Sequence, residues 1–530
     1  MSDAIARASP ERRCVLKVSV IVPVFDPGER IEPLLHSLLG QSLSAEDYEL
    51  IFVDDGSTDG TGERLEALAA EHANVRTIRI EHSGWPGRPR NVGLDAARGE
   101  FVFFADHDDH LGSEALERLY ATAVADRADV VIGKVVGHGK AVPRTLFREN
   151  VHELGLRAAP FNLLTPHKLF RRALLDEHAI RFPEGKHRLG DQVFVVRAYF
   201  AAGNMAILAD YPCYHRVHRD SETNASSAAP DPAEYFDDVR SVLDVVDAHT
   251  EPGELRDTLY GRWYRGELLG RLGRNAFLSR EEEHRRGVLG AVRALMAERF
   301  PERLDADLGP ALRMRAALAR RDDYDGLVAL AEYEQDLKAS ARVRSAQGDG
   351  TWMTLRLECW LRMDDGEPLT LRREGDRLLL ALPDALRART EPAELDVTDT
   401  VQQANLQLMI RRDGDAAGWL LPVEAELRIP DGDQIRPSLV ATARLAPTIA
   451  IAGTTPLEPG LYELRAVVSI AGFTAQARLR RGDGLFRVTV TPEDRVYREG
   501  SIPAPPERST VDELRLRVGR LRRRVRGPSA

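Results

Sequence analysis

Val18-Ser19-Val20-Ile21-Val22-Pro23-Val24 opens the first regular element of the chain, and Val53-Asp54-Asp55-Gly56-Ser57-Thr58-Asp59-Gly60 follows the second. The first stretch is apolar at almost every position, the pattern of a strand covered on both faces. Ile31, Leu34, Leu35 and Leu38 follow at helical spacing, and Tyr48 to Val53 is a second apolar run that ends in two aspartates. A helix over 62–72, a strand over 75–80 and the strand Phe101-Val102-Phe103-Phe104 continue the alternation. Strands separated by single helices imply right-handed crossovers and a mostly parallel, Rossmann-like α/β sheet. Ligands of such sheets gather beyond the carboxyl ends of the strands. The residues just past each strand are therefore the candidates for chemistry.

The 530 residues exceed one ordinary domain. The α/β pattern holds over 17–228, after a flexible segment 1–16. From about Asp231 the spacing turns helical, as in Val288-Leu289-Ala291-Val292-Leu295-Met296, and 229–345 reads as a helical linker region. The period then drops to two: Leu355, Leu357, Cys359 and Leu361 alternate with Arg356, Glu358 and Trp360, and Tyr462 to Ile470 repeats the alternation. Residues 346–498 thus read as an antiparallel, immunoglobulin-like β-sandwich that could build an oligomer. A Pro-rich hinge and a basic amphipathic helix fill 499–530, with Val511, Leu514, Val518, Leu521 and Val525 at heptad spacing.

Composition excludes several classes. With 43% hydrophobic and 29% charged residues the chain is globular rather than disordered. No run approaches the ~20 apolar residues of a membrane-spanning helix, and 1–16 lacks the apolar centre of a secretory signal. Cys14, Cys213 and Cys359 have no metal-pair spacing, and a cytoplasmic location is expected. The net charge of −10 combines a local +5 over 509–530 with −15 over the rest. Such an acidic body makes no nucleic-acid partner.

Three loops carry candidate chemistry. The Asp54-Asp55 loop reads either as a helix cap or as a ligand loop. Ala105-Asp106-His107-Asp108-Asp109 is harder to explain as packing, because clustered carboxylates repel unless a cation or donor compensates. Aspartates at i and i+2 past a strand can present oxygens to one divalent ion, Mn2+ or Mg2+ rather than zinc. Between them lies Gly84-Trp85-Pro86-Gly87-Arg88-Pro89-Arg90-Asn91-Val92-Gly93, read as a basic Gly/Pro turn in which Arg90 could fork onto a phosphate. Together these loops would suit a nucleoside diphosphate held through a metal.

Val20 to Phe25, Val53 to Asp59, Pro89 to Gly93 and Asp106-His107-Asp108 stand in the order seen in family-2 glycosyltransferases of the GT-A fold, and the chain resembles that family over roughly 17–225. The resemblance implies that Pro23, Val24 and Asp55 meet the uridine of a UDP-sugar. It also implies that Arg88, Arg90 and Asn91 line the donor pocket, that Asp106 faces the ribose or sugar, and that Asp108 binds the metal. Leu189-Gly190-Asp191-Gln192-Val193-Phe194 matches the family's Glu-Asp-x-x-Phe with glycine in place of the glutamate, leaving Asp191 as the catalytic base. The alternative is that Asp191 merely caps the helix that follows. His218, with His215 as fallback, is where a late metal-site histidine is expected. The catalytic, helical and β order is similar to that of the poly(ribitol-phosphate) N-acetylglucosaminyltransferases, whose β domains make trimers.

The expected function is inverting, metal-dependent transfer of a sugar, GlcNAc by the resemblance, from UDP to hydroxyls of a polyol-phosphate cell-wall polymer. Another glycan acceptor such as a capsule, a non-catalytic carbohydrate-binding role and a nucleotidyltransferase are the alternatives. The acidic Asp26-Pro27-Gly28-Glu29 after the first strand disfavours the last. A homo-oligomer reinforced by the tail is also expected, with peripheral contact of the basic tail with the inner face of the membrane as the competing role. Deleting 509–530 separates the tail's roles. A lower sedimentation mass with unchanged liposome binding is the expected outcome, and lost liposome binding at unchanged mass would reverse it.

Overall fold

The computed structural model describes residues 16–138, 145–156, 160–217, 230–414, 418–446 and 457–501. Cys14, His218 and the seam from Val511 to Val525 lie outside the described residues.

A nine-stranded sheet forms the first domain, built from β1 (Val18–Val24), β2 (Tyr48–Asp54), β3 (Val75–Arg79), β4 (Phe101–Phe104), β5 (His110–Leu111), β6 (Val130–His138), β7 (Val151–Leu154), β8 (Leu169–Arg171) and β9 (Met205–Val217). The order is β3-β2-β1-β4-β8-β6-β9-β5, with β7 also on β9. The first four strands are parallel, with Val24 beside Asp54 and Ile21 beside Phe104. Their order reverses between β1 and β4, the kind of switch point at which α/β sheets open a crevice. Every residue of β1, β2 and β4 is buried, which is why these strands read as continuous apolar runs. No periodicity marks β8, a three-residue strand that runs antiparallel between β4 and β6.

The helices α1 (Glu32–Leu39), α2 (Thr61–Glu71), α3 (Gly87–Ala96), α4 (Ala115–Ala125), α5 (Arg172–Glu177) and α6 (Gly190–Ala201) cover the sheet. Residues 84–93 are not one Gly/Pro turn. Only Gly84–Pro86 lies ahead of α3, and the rest is helix. Two glycines allow the tight seat of α3, since a Cβ on Gly87 would lie 2.2 Å from the Pro183 carbonyl oxygen and one on Gly93 2.4 Å from Ile21 Cγ2. An aromatic cluster fixes α6 against β4: Phe182 and Phe194 stack at 4.0 Å, and Phe104 meets each edge-on at 5.0 and 5.4 Å.

The helical region spans α7 (Pro232–His249) to a last helix at Tyr324–Asp336. Asp231 caps α7 by accepting from the Ala233 and Glu234 N–H groups, as the change of pattern there implies. This region grips the chain on both sides of Asp191. Asp238 accepts from the Arg188 N–H at 2.9 Å, and buried Trp263 donates to Gln192 Oε1 at 2.8 Å.

The C-terminal region holds two six-stranded sheets and one of three strands, antiparallel apart from one short parallel pairing. Leu355, Leu357, Cys359 and Leu361 are buried and their neighbours are not, as the alternation requires. The first strand, Lys338–Gly348, begins in the stretch assigned above to the linker. Its buried face is Ala339, Ala341 and Val343, and alanines carry little strand signal.

Replacing Gly93 by alanine sets an overpacking strain of about 1–3 kcal/mol against a helix-propensity gain of about 1 kcal/mol. A net loss of up to about 2 kcal/mol is expected, read as a lower urea midpoint at unchanged slope. An unchanged midpoint would show that α3 can lift off β1.

Candidate active site

Three distant segments meet at one guanidinium. Arg90, on the first turns of α3, is only 3% exposed. Its Nη2 donates to Asp106 Oδ1 at 2.7 Å and its Nη1 to Asp191 Oδ1 at 2.5 Å. Asp106 stands just past β4, and Asp191 lies in the first turn of α6. The Phe182 ring lies 5.1 Å from the guanidinium carbon and covers the apolar side.

Asp191 is not a cap. Helix α6 begins at Gly190, its N-cap is Leu189, and no side chain caps it. The carboxylate instead turns toward Arg90 with its side chain 38% exposed. Among the described residues its second oxygen receives no hydrogen bond. Burial and the charge of Asp106 outweigh the attraction of Arg90 and hold the Asp191 carboxyl above its ordinary range.

Asp106 is pulled the other way. Burial alone would raise it, but His167 and Arg90 lower it well below the usual carboxylate range. Arg90 is the partner charged at neutral pH, since burial pushes the His167 imidazole down to about 3 against the opposing pull of Asp106. His167 Nε2 sits 3.4 Å from Asp106 Oδ2, its Nδ1 lies 3.2 Å from the Phe104 carbonyl, and its ring stacks on Tyr214 at 4.1 Å. The Tyr214 hydroxyl accepts the Asp106 N–H at 2.9 Å. Burial also drives the Lys168 ammonium down to about 7, and it donates to the Thr165 carbonyl.

The other predicted residues fall around this centre. Pro23 and Val24 end β1 against Val53 and Asp54. Asp55, 4% exposed, accepts the Ser83 N–H at 2.9 Å and its hydroxyl at 2.8 Å. Beside it Phe25 and His82 stack at 4.0 Å, with Phe25 39% exposed. Arg88 is exposed. The Asn91 amide is engaged by the chain itself: Nδ2 donates to the Phe182 carbonyl at 2.9 Å and to Glu184 Oε1 at 3.1 Å, while Oδ1 accepts the Phe182 N–H at 2.9 Å. Asn91 thus fixes the segment leading to Asp191, a task the resemblance does not assign to it.

Around the predicted metal loop, Asp106, Asp109 and His167 bring ligand atoms within 4.8 Å of one another. Asp109 Oδ1 accepts the Val217 N–H at 2.8 Å. Asp108 is half-buried and its carboxylate receives no hydrogen bond among the described residues, so its oxygens are the ones open to a cation. Asp106, Asp109 and His167 thus converge as two carboxylates and a neutral imidazole, an oxygen-rich set that Mn2+ or Mg2+ accepts, while Asp108 stands on the same loop outside the converging atoms. His167, preceding an unremarkable apolar strand, carried no sequence signal, since its role depends on the fold bringing it under Asp106.

His167 gives a pH prediction. The unfolded chain takes up this proton near 6.5 and the folded one only near 3, so the unfolded state binds more protons between those values. Stability therefore rises with pH across that window and is complete above it. His167→Phe should flatten the rise of the urea midpoint between about pH 4 and 6, and an unchanged slope would contradict the assignment.

The chain is similar to known proteins over both its sheet domain and its helical region. Residues 19–211 match Glycosyl transferase family 2, and residues 232–331 match the Glycosyl transferase TarS linker domain. A poly(ribitol-phosphate) beta-glucosyltransferase of Bacillus spizizenii is 30% identical over 335 residues, 63% of this chain and 53% of that protein. The poly(ribitol-phosphate) beta-N-acetylglucosaminyltransferase TarS of Staphylococcus aureus is 32% identical over 315 residues, 59% of this chain and 54% of TarS. The chain thus spans about half the length of these curated relatives. The crystal structure of S. aureus TarS 1-349 in complex with UDP-GlcNAc superposes with a TM-score of 0.54 at 29% identity, covering 66% of this chain and 98% of that one. Residues 19–211 therefore carry a domain that matches glycosyl transferase family 2, followed by one that matches the TarS linker domain.

Proposed function

We propose that the chain transfers a sugar, GlcNAc by its likeness to TarS, from a UDP donor to a hydroxyl of poly(ribitol phosphate), with inversion at the anomeric carbon. The observation that carries this reading is Asp191, released from capping and aimed by Arg90 beyond the carboxyl ends of the strands. The names of the relatives support the donor and the polymer.

In this mechanism Phe25, His82 and Asp55 form the base end of the donor site, and Asp106 its sugar end. Asp191 uses the oxygen that Arg90 leaves open to take the proton of the acceptor hydroxyl as that oxygen attacks. Arg90 holds the carboxylate in one rotamer, so little reorganisation is needed when the proton moves. The raised Asp191 carboxyl makes it a stronger base than an exposed aspartate. Mn2+ or Mg2+, held by Asp108 with the neighbouring carboxylates, would supply positive charge to a departing diphosphate. Lys168 and Arg216 add cationic groups whose fields reach Asp191. The expected homo-oligomer, cytoplasmic location and membrane-face contact belong to the same proposal for the whole protein. No helix among the described residues is long and apolar enough to cross a membrane.

The test is UDP release from UDP-GlcNAc with poly(ribitol phosphate) as acceptor, beside calorimetry of the donor. Asp191→Asn should bind donor as the parent does and lose about 10²–10⁴ in turnover. A variant within about threefold of the parent rate would remove Asp191 from the chemistry. In the parent, turnover should rise with pH as Asp191 deprotonates, with that limb above the ordinary aspartate range near ~3.9.

A further inference from the structure

His110, His138 and His215 come together on three neighbouring strands outside the catalytic centre. His110 on β5 and His215 on β9 are direct cross-strand partners, so their side chains share a face. On the other side of β9, β6 sets Val136 beside His215 and His138 beside Val217. His138 lies two positions beyond Val136 and so returns to that face. The His110 and His215 rings stack at 4.5 Å, His138 Nε2 lies 2.9 Å from His215 Nδ1, and one nitrogen of each ring falls within 4.8 Å of the others. All three residues are half-buried.

We propose that these three imidazoles are a zinc site, separate from the carboxylate site for Mn2+ or Mg2+. Three nitrogen donors without a carboxylate among them select borderline ions such as Zn2+ over the hard ions that favour oxygen. Zinc–nitrogen bonds of ~2.0–2.1 Å in tetrahedral geometry set ligand nitrogens ~3.3 Å apart. The observed separations, 2.9 Å for one pair and none above 4.8 Å, bracket that value, and a turn of the His110 ring out of its stack on His215 would bring the in-plane lone pairs onto one ion. Their partial exposure leaves a fourth position for water. A hydrogen-bonded pair beside a stacked ring is the alternative, and metal binding decides between the two.

The site has a structural consequence. Strand β5 begins directly after Asp109, whose carboxylate also holds Val217 at the end of β9. Zinc would tie β5, β6 and β9 together immediately behind the loop that carries Asp106 and Asp108. It would stiffen that loop without touching substrate.

The experiment is calorimetric titration of the chelator-treated full chain with ZnCl2 and, separately, with MnCl2. One Zn2+ per chain, bound at micromolar affinity or tighter, is expected. His138→Ala and His110→Ala should each weaken it at least ~tenfold, while Asp108→Ala should leave it within about twofold and abolish Mn2+ binding. Cobalt substitution of the unaltered protein should give the intense visible absorption of a four-coordinate ion, a readout that needs no variant to fold. Absence of saturable Zn2+ binding, a six-coordinate cobalt spectrum, or Zn2+ affinity unchanged in both histidine variants would each overturn the site. Loss of Zn2+ in Asp108→Ala would merge the two sites into one and overturn their separation.

Discussion

A guanidinium buried to 3% exposure is costly unless its charge is answered, and Arg90 is answered twice, by Asp106 and by Asp191. Those carboxylates come from the end of β4 and the start of α6, so satisfying one side chain fixes three elements at the switch point of the sheet. Removing either carboxylate would leave a buried charge half-paired, and removing Arg90 would leave two aspartates facing each other. The same bonds that close the fold here also aim Asp191. The opposite shifts of the two acids, Asp106 held low and Asp191 held high, follow from that arrangement.

Much of the frame was readable from local pattern. Strands buried on both faces show as apolar runs, and β1, β2 and β4 stood out for that reason. Arg90, Asp106 and Asp191 were readable as chemistry because each sits in a short motif just past a strand or at a helix start. What stayed hidden depended on contacts between distant segments. Asn91 holds the Phe182 backbone 91 residues away, and no local pattern records such a clamp. His167 and the trio His110, His138 and His215 acquire meaning only when β4, β5, β6 and β9 are assembled. The basic turn proved helical because its glycines serve packing against Ile21 and Pro183 rather than flexibility.

The helical region is more than a spacer. Trp263 holds Gln192, the residue after Asp191, and Asp238 holds the backbone just before it. The β region reaches back as well, with Lys134 of β6 over the Trp419 ring. A displacement of the helical region would be felt at the first turn of α6. This coupling places part of the support for Asp191 outside the sheet domain.

The central claim, that Arg90 acts through Asp191, is tested most directly by a double-mutant cycle on turnover at saturating donor. Arg90→Lys keeps the charge but cannot fork onto both carboxylates. If Arg90 positions the base, that change should cost turnover heavily in the parent and little in an Asp191→Asn background, where no base remains to be aimed. Equal losses in the two backgrounds would show that the two residues work independently and would contradict the account.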